Sequence, residues 1–251
     1  METNKTVVER RRESILDLIR SKKSITTAEL IDNFDVSEIT IRRDLNYLQE
    51  LGEIERYYGG ARAIKNPNSK NLLLENKKEK IAKKCADFIS DNDDIFINSS
   101  STALMVIKYI KNKRVNIITN NAKASCVEID PLVSVILTGG KVSSPKNVLT
   151  GSFALNNLKS VASNITILGI SGITDEGELT TSVLDEVEVN QYMLNESTDK
   201  NILVCDSSKF KKSTNFKIGN LKNIDFIITD SDIDRITLEY IEKLNVKVIL
   251  V

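Results

Sequence analysis

Two arginines stand side by side in VSEITIRRDL, residues 36–45. Their chemistry suits nucleic-acid readout, because a guanidinium donates two hydrogen bonds to a guanine edge or binds a phosphate. At 100° per residue, Ile41, Leu45, Leu48 and Leu51 form one apolar stripe. Ile39, Arg43 and Asn46 then point nearly opposite, with Arg42 on one flank and Thr40 on the other. Thr and Ile suit a thymine methyl. Ser37 and Glu38 open the segment, and Ser37 is a fit N-cap. The same residues also fit a solvated face of a small helical domain. A second set of groups is INSSSTA, residues 97–103. Asn98, Ser99, Ser100, Ser101 and Thr102 lie between a strand and a helix, where backbone N–H groups favour anions and hydroxyls add donors. A Ser-rich cap without a ligand is the alternative. Thr138-Gly139-Gly140-Lys141 and Cys205-Asp206-Ser207-Ser208-Lys209 also follow apolar strands. Asp206 can accept from sugar hydroxyls, and Lys209 offers a point charge to phosphate. The GxxxxGK[ST] spacing of a P-loop is missing. Three such loops, each after a strand, point to one edge of a sheet, where ligands bind.

The elements that must position these groups follow from periodicity. Residues 6–65 read as three helices and a short β-ribbon. In the first helix Val8, Ile15, Leu18 and Ile19 share a face. The second opens with a capping box, Thr26 with Glu29, and carries Ala28, Leu30, Ile31 and Phe34. A short turn, Asp35 to Ser37, leads to the third, which runs from Ser37 to Leu51 and stops at Gly52. Ile54, Arg56 and Tyr58 alternate as in a strand, Gly59-Gly60 turns, and the chain returns through Ala61-Arg62. Arg56 and Arg62 are placed for flanking phosphate or minor groove, and Arg10-Arg11-Arg12 for backbone contacts. KNPNSKN, residues 65–71, reads as a linker. A charged helix, 73–89, then precedes seven short apolar runs: DIFIN, VNIIT, VSVIL, ITILGI, NILVC, DFIIT and VKVILV. Helical patterns separate most of them, which predicts an α/β domain with a mainly parallel sheet covered on both faces.

Composition removes other classes. The 251 residues carry equal numbers of Lys+Arg and Asp+Glu, and residues 1–65 hold 12 of each, so any DNA contact rests on where charges sit. Three scattered cysteines, Cys85, Cys126 and Cys205, give no metal or redox motif. Histidine is absent, which removes the commonest general base and metal ligand. No apolar run approaches the roughly 20 residues of a membrane span, and the N-terminus lacks a signal-peptide core. A soluble cytoplasmic protein with no membrane partner is expected.

TTAELIDNFDVSEITIRRDLNYLQELGEIERYYGGAR, followed by LTGGKV, GELTTSVLDEVEVN and CDSSKF, resembles the DeoR family of bacterial transcriptional regulators over nearly the whole chain. The resemblance implies a winged helix-turn-helix over 6–64, a linker over 65–72 and an effector-sensing α/β domain over 73–251, similar in fold to ribose-phosphate isomerases. It implies a repressor of a carbohydrate operon, bound to double-stranded operator DNA and released by a phosphorylated sugar, and a homodimer or homotetramer. DNA contacts then fall to Thr26, Ser37, Glu38, Thr40, Arg42, Arg43, Asn46, Arg56 and Arg62. Effector contacts fall to Asn98, Ser99, Ser100, Ser101, Thr102, Gly139, Gly140, Lys141, Ser171, Thr181, Glu186, Asp206 and Lys209. The chain departs from the family pattern at Tyr58 (usually His), Asn98 (Asp), Ser100 (Gly), Ser171 (Asp) and Asn190 (Lys). With two carboxylates gone and no histidine, no catalytic residue, metal or cofactor is expected. The alternative is an isomerase-like enzyme, with Glu186 or Asp206 left as a base.

Overall fold

A computed structural model describes residues 7–50, 52–64, 67–143 and 146–251, in two compact units that divide between Glu75 and Asn76. In the first unit, helix α1 (Val7–Lys22) leads to strand β1 (Ser24–Thr26), α2 (Thr27–Phe34), α3 (Glu38–Glu50), β2 (Ile54–Tyr57) and β3 (Gly60–Ala63). The strands form an antiparallel sheet in the order β1-β3-β2. The ribbon foreseen from sequence thus has a third strand, and Ser24 pairs with Arg62. Ile15, Ile19, Ile25, Leu30, Ile41, Leu45, Leu48, Ile54 and Ala61 make its core. Two apolar assignments are corrected: Val8 is 39% exposed, and Ala28 also faces solvent. Leu51 lies outside the described residues.

The residues expected to be an irregular linker begin a helix. Pro67 opens α4 (Pro67–Ala86), its missing N–H costing nothing at a helix start; Lys65 and Asn66 lie outside the described residues. All seven apolar runs become strands of one parallel sheet: β4 (Asp94–Ile97), β5 (Val115–Thr119), β6 (Val133–Leu137), β9 (Ser163–Leu168), β12 (Ser197–Val204), β14 (Phe226–Thr229) and β15 (Lys247–Leu250). Their order is β15-β14-β12-β9-β4-β5-β6. Side chains alternate across the sheet. Ile95 and Ile97 pack on α4 and on α5 (Ser101–Val106). Phe96 packs on Leu158 of α6 (Ser152–Lys159) and Val189 and Met193 of α7 (Val187–Asn195). Five further strands of this unit were not foreseen. A hairpin, β7 (Lys141–Ser143) with β8 (Val148–Thr150), follows β6. A second antiparallel sheet joins β10 (Gly172–Ile173), β11 (Glu178–Thr181) and β13 (Phe216–Asn220). Helix α8 (Arg235–Lys243) links β14 to β15. Among the described residues no helix is long and apolar enough to cross a membrane.

Candidate nucleic-acid interface and effector site

Caps at both ends of α2 and at the start of α3 fix the turn between them. Thr26 Oγ1 accepts from the Glu29 N–H at 3.2 Å, and the Thr26 N–H donates to Glu29 Oε2 at 2.9 Å, the reciprocal box read from sequence. Those bonds hold the Glu29 carboxyl below its ordinary range. Asp35 adopts a left-handed φ of 47° and donates its N–H to Ile31 O, which ends α2 in one residue. Ser37 then caps α3, its Oγ accepting from the Thr40 N–H at 3.3 Å. At the far end Glu53 N–H reaches Leu48 O and Gly52 N–H reaches Gln49 O, with Gly52 at φ 69°. That pair of bonds is the Schellman closure.

The orientation of α3 comes from its buried face. Ile41, Leu45 and Leu48 are buried, and so is Asp44, at 1% exposed. Asp44 accepts from Arg11 Nε at 2.6 Å and from Arg12 Nε at 2.8 Å, while the Arg12 guanidinium stacks 3.9 Å over the Tyr47 ring. Arg11 and Arg12, offered by the sequence for DNA backbone, thus also have a structural role. Through their Nε groups they tie α1 to α3 while staying partly exposed, at 18% and 22%, and Arg10 is exposed.

On the opposite face Ile39 is 65% exposed, and Ser37, Glu38, Arg42, Arg43 and Asn46 are exposed too; Thr40 is half-buried. Arg42 pairs with Glu38 at 2.6 Å. Arg56 Nη1 donates to Asn46 Oδ1, joining β2 to α3. Arg62 meets Glu55 directly across the ribbon at 3.1 Å. Arg43 has no partner among the described residues. At the tip, Tyr58 is fully exposed and Gly59 takes φ 84°, so the two-residue loop is Tyr58-Gly59 rather than Gly59-Gly60. Gly60 begins β3, where a Cβ would stand 2.5 Å from Ile25 O.

In the second unit the loops after β12, β9, β4, β5 and β6 share the carboxyl edge of the parallel sheet. Asn98 follows β4 and is buried. Its Nδ2 donates to Gly169 O at 2.8 Å and to Asn190 Oδ1 at 3.1 Å; its Oδ1 accepts from Gly169 N–H at 3.0 Å and Ser100 N–H at 3.3 Å. All four amide positions are filled, so Asn98 positions its loop and has no capacity left for a ligand. Ser99 Oγ donates to Glu186 Oε1 at 3.1 Å, and Thr181 Oγ1 donates to Glu186 Oε2 at 2.7 Å. Lys146 Nζ lies 3.7 Å from that carboxylate. Ser100 caps α5, with Oγ accepting from Ala103 N–H. It packs so closely on Gly169 that any Cβ there would overlap its hydroxymethyl group. Ser101 is exposed and Thr102 buried.

Gly139 and Gly140 take φ 69° and 101°, and a Cβ on Gly140 would stand 2.6 Å from Thr150 O. The close backbone approach foreseen there is made by β8. Lys141 is exposed. Ser171 Oγ accepts from Ser182 N–H at 3.4 Å. Asp206 is 2% exposed; its Oδ1 accepts from Ser208 N–H at 3.0 Å, while Oδ2 has no hydrogen-bond partner among the described residues and lies 3.8 Å from Lys209 Nζ. The sequence reading passed over Gly169, Lys146 and the pair Asn120-Asn121. The last was findable, because it follows the strand VNIIT as the other polar loops follow theirs. A cavity of about 200 Å³, lined by Ile173, Phe210, Leu221, Ile236, Tyr240 and Ile241, lies instead beside α8.

Known proteins share both units. The DeoR-like helix-turn-helix domain matches residues 11–67, and the DeoR C terminal sensor domain matches 74–231. The glycerol-3-phosphate regulon repressor of Escherichia coli is 31% identical over 88% of this chain and 90% of its own. The lactose phosphotransferase system repressor of Lactococcus lactis is 34% identical over 92% of this chain and 94% of its own. The HTH-type transcriptional regulator GolR of Listeria innocua is 32% identical over 90% and 91%. Among solved structures, ribose 5-phosphate isomerase A of Methanocaldococcus jannaschii superposes with a TM-score of 0.39 at 16% identity, over 55% of this chain and 56% of its own, a partial likeness on which no functional reading rests. With both domains matched in order and relatives aligned along most of its length, the chain belongs to the DeoR family of helix-turn-helix transcriptional regulators.

Proposed function

We propose that the chain represses a carbohydrate-catabolism operon and leaves its operator when a phosphorylated sugar binds, with residues 6–64 holding DNA and 73–251 sensing. One observation carries the DNA half. Arg43 is exposed and unpaired among the described residues, on the outward face of a helix whose inward face is fixed by Ile41, Asp44, Leu45 and Leu48. A major-groove helix needs that arrangement. Arg42 and Arg62 hold exposed carboxylates, and such pairs are worth at most about 1 kcal/mol, so a phosphate can displace them. Thr40 and Asn46 flank Arg43 on the same helix. Two copies on paired half-sites follow from the motif's usual symmetry.

Support for a sugar operon and for repression comes from relatives named for glycerol 3-phosphate and lactose systems. On the sensing side, Ser99, Ser101, Asp206 and Lys209 lie on loops of one sheet edge, with Lys209 as the proposed phosphate contact. Glu186 is occupied by the Ser99 and Thr181 hydroxyls, which favours sensing over proton transfer. An effector relieves repression only by binding the non-DNA arrangement more tightly.

Titration of an operator fragment with wild type and Arg43→Ala tests the reading. The variant is expected to bind ten- to a hundredfold more weakly, about 1–3 kcal/mol, with an unchanged melting temperature. Equal operator affinity removes the assignment. Lys209→Ala is expected to abolish release by phosphosugar, and a normal response from it removes the phosphate contact.

A further inference from the structure

Asn120 directly follows β5 and is fully buried, at 0% exposed. Neither its Oδ1 nor its Nδ2 has a hydrogen-bond partner among the described residues. Its neighbours are all engaged. Thr119 Oγ1 accepts from Asn121 N–H at 3.1 Å, and Asn121 Nδ2 donates to Ser99 O at 3.1 Å. The backbone of Asn120 is also used, its carbonyl accepting from Leu149 N–H at 2.7 Å. The side-chain amide carries no such bond among the described residues. A buried amide with both ends unpaired is costlier than an apolar side chain of the same size, so its retention calls for an explanation.

Its place supplies one. β5 lies next to β4 in the sheet, with Thr119 opposite Ile97. Asn120 therefore sits one strand spacing, about 4.8 Å, from the Asn98-Ser99 loop. Asp206 Oδ2, which has no hydrogen bond among the described residues and lies 3.8 Å from Lys209 Nζ, belongs to the loop after β12 on the same edge. Both lie where parallel sheets receive ligands. Asn120 is uncharged and carries one acceptor and a two-proton donor. That complements adjacent sugar hydroxyls or a hydroxyl beside a carbonyl, while a phosphate needs the cation.

We infer that Asn120 reads hydroxyl groups on the carbon chain of the effector, so it discriminates between sugars rather than sensing the phosphate. The inference rests on the effector site proposed above.

The test uses the whole chain as wild type, Asn120→Leu and Asn120→Asp. Calorimetric titration with fructose 1-phosphate, fructose 6-phosphate, galactose 6-phosphate and inorganic phosphate is paired with ligand-free melting curves. Whichever hexose phosphate the wild type binds, Asn120→Leu is expected to bind it at least tenfold more weakly. Its affinity for inorganic phosphate should be unchanged, and its ligand-free melting temperature equal or higher. Asn120→Asp, which keeps the acceptor and loses the donor, is expected to change the order of preference among the hexose phosphates. Unchanged hexose-phosphate affinity in Asn120→Leu overturns the inference. So does a lower ligand-free melting temperature, which would show the amide has a structural partner. If the wild type binds no phosphosugar, the effector site itself has failed and this inference with it, a result told apart by the wild-type titration alone.

Discussion

Asn98 Nδ2 donates to Asn190 Oδ1 at 3.1 Å, tying the loop after β4 to helix α7. Both side chains are buried, at 2% and 1% exposed. In the family pattern these positions carry Asp and Lys, so two departures that look separate in the sequence meet in one contact. An ion pair and an amide pair each leave the site neutral, whereas a single exchange strands one charge. Asn98→Asp alone would turn two donors to Gly169 O and Asn190 Oδ1 into oxygen facing oxygen. Expected is a loss of about 2–4 kcal/mol, measured by urea unfolding, with most of it regained in Asn98→Asp combined with Asn190→Lys. A double variant no more stable than the sum of its single losses would sink the compensation.

How much of this was legible varies with the range of the interaction. DIFIN, ITILGI, NILVC and DFIIT announced the inner parallel strands because burial on both faces leaves continuous apolar stretches, and the edge strands β6 and β15 kept the same apolar pattern although partly exposed. The caps at Thr26 and Gly52 were legible because a cap is local chemistry. The strands Gly172–Ile173 and Glu178–Thr181 were not, being short and, in Thr180-Thr181, polar where they line the interior. Ser24–Thr26 has three residues and too little pattern to register. The use of Arg11 and Arg12 was hidden for another reason. Their partner Asp44 lies 33 and 32 residues away, and a basic run in sequence says nothing of which carboxylate the fold brings to it. Asn98 reads as a ligand group until its four bonds are counted in three dimensions.

Asp44 and Arg43 are neighbours on opposite faces of α3, one buried and one exposed, and substitutions should separate the buried cluster from the proposed DNA contact. Asp44 is buried beneath two guanidiniums that are 18% and 22% exposed. Asp44→Ala is expected to cost about 1–3 kcal/mol of stability and to weaken operator binding only through unfolding of the first unit. Binding measured well below the melting temperature should therefore fall far less than in Arg43→Ala. An Asp44→Ala protein as stable as wild type would show that the cluster holds nothing together.

Two glycines of the wing invert the usual expectation. Gly59 has the positive φ, 84°, yet a Cβ there meets nothing within 4 Å. Gly59→Ala should cost about 1 kcal/mol, the penalty of a left-handed L-residue. Gly60 needs no special φ, but its Cβ would stand 2.5 Å from Ile25 O and 2.6 Å from Tyr57 Oη. Gly60→Ala must part β1 from β3 and is expected to cost about 2–3 kcal/mol and to lower operator affinity by misplacing Tyr58. Thermal unfolding of the two variants decides the matter, and a larger loss in Gly59→Ala would contradict this account of the wing.

Lys77 on α4 donates to Asp230 Oδ1 at 2.7 Å and to Asp232 Oδ2 at 2.6 Å, and Asp230 Oδ2 also accepts from Ser207 N–H at 2.6 Å. Burial pushes the Asp230 carboxyl up, but the bonds from Lys77 and Ser207 outweigh it and leave it below its ordinary value. For Lys77 burial pushes down, and the two carboxylates carry it above its ordinary value. The signs follow. A depressed carboxyl stabilises the fold above its unfolded value, about 3.9, and that contribution is lost as pH falls through the folded value. A raised ammonium stabilises below its unfolded value, about 10.4, and that contribution is lost as pH rises through the folded value. Lys77→Met should therefore be less stable than wild type by about 1–2 kcal/mol across the middle of the pH scale. The gap should close below about pH 4 and above about pH 10. Taking the difference between the two proteins cancels the titration of every other group. Urea unfolding of both from pH 3 to 11 reads it directly, and a gap of constant size at both extremes would mean that Lys77 stabilises by packing alone.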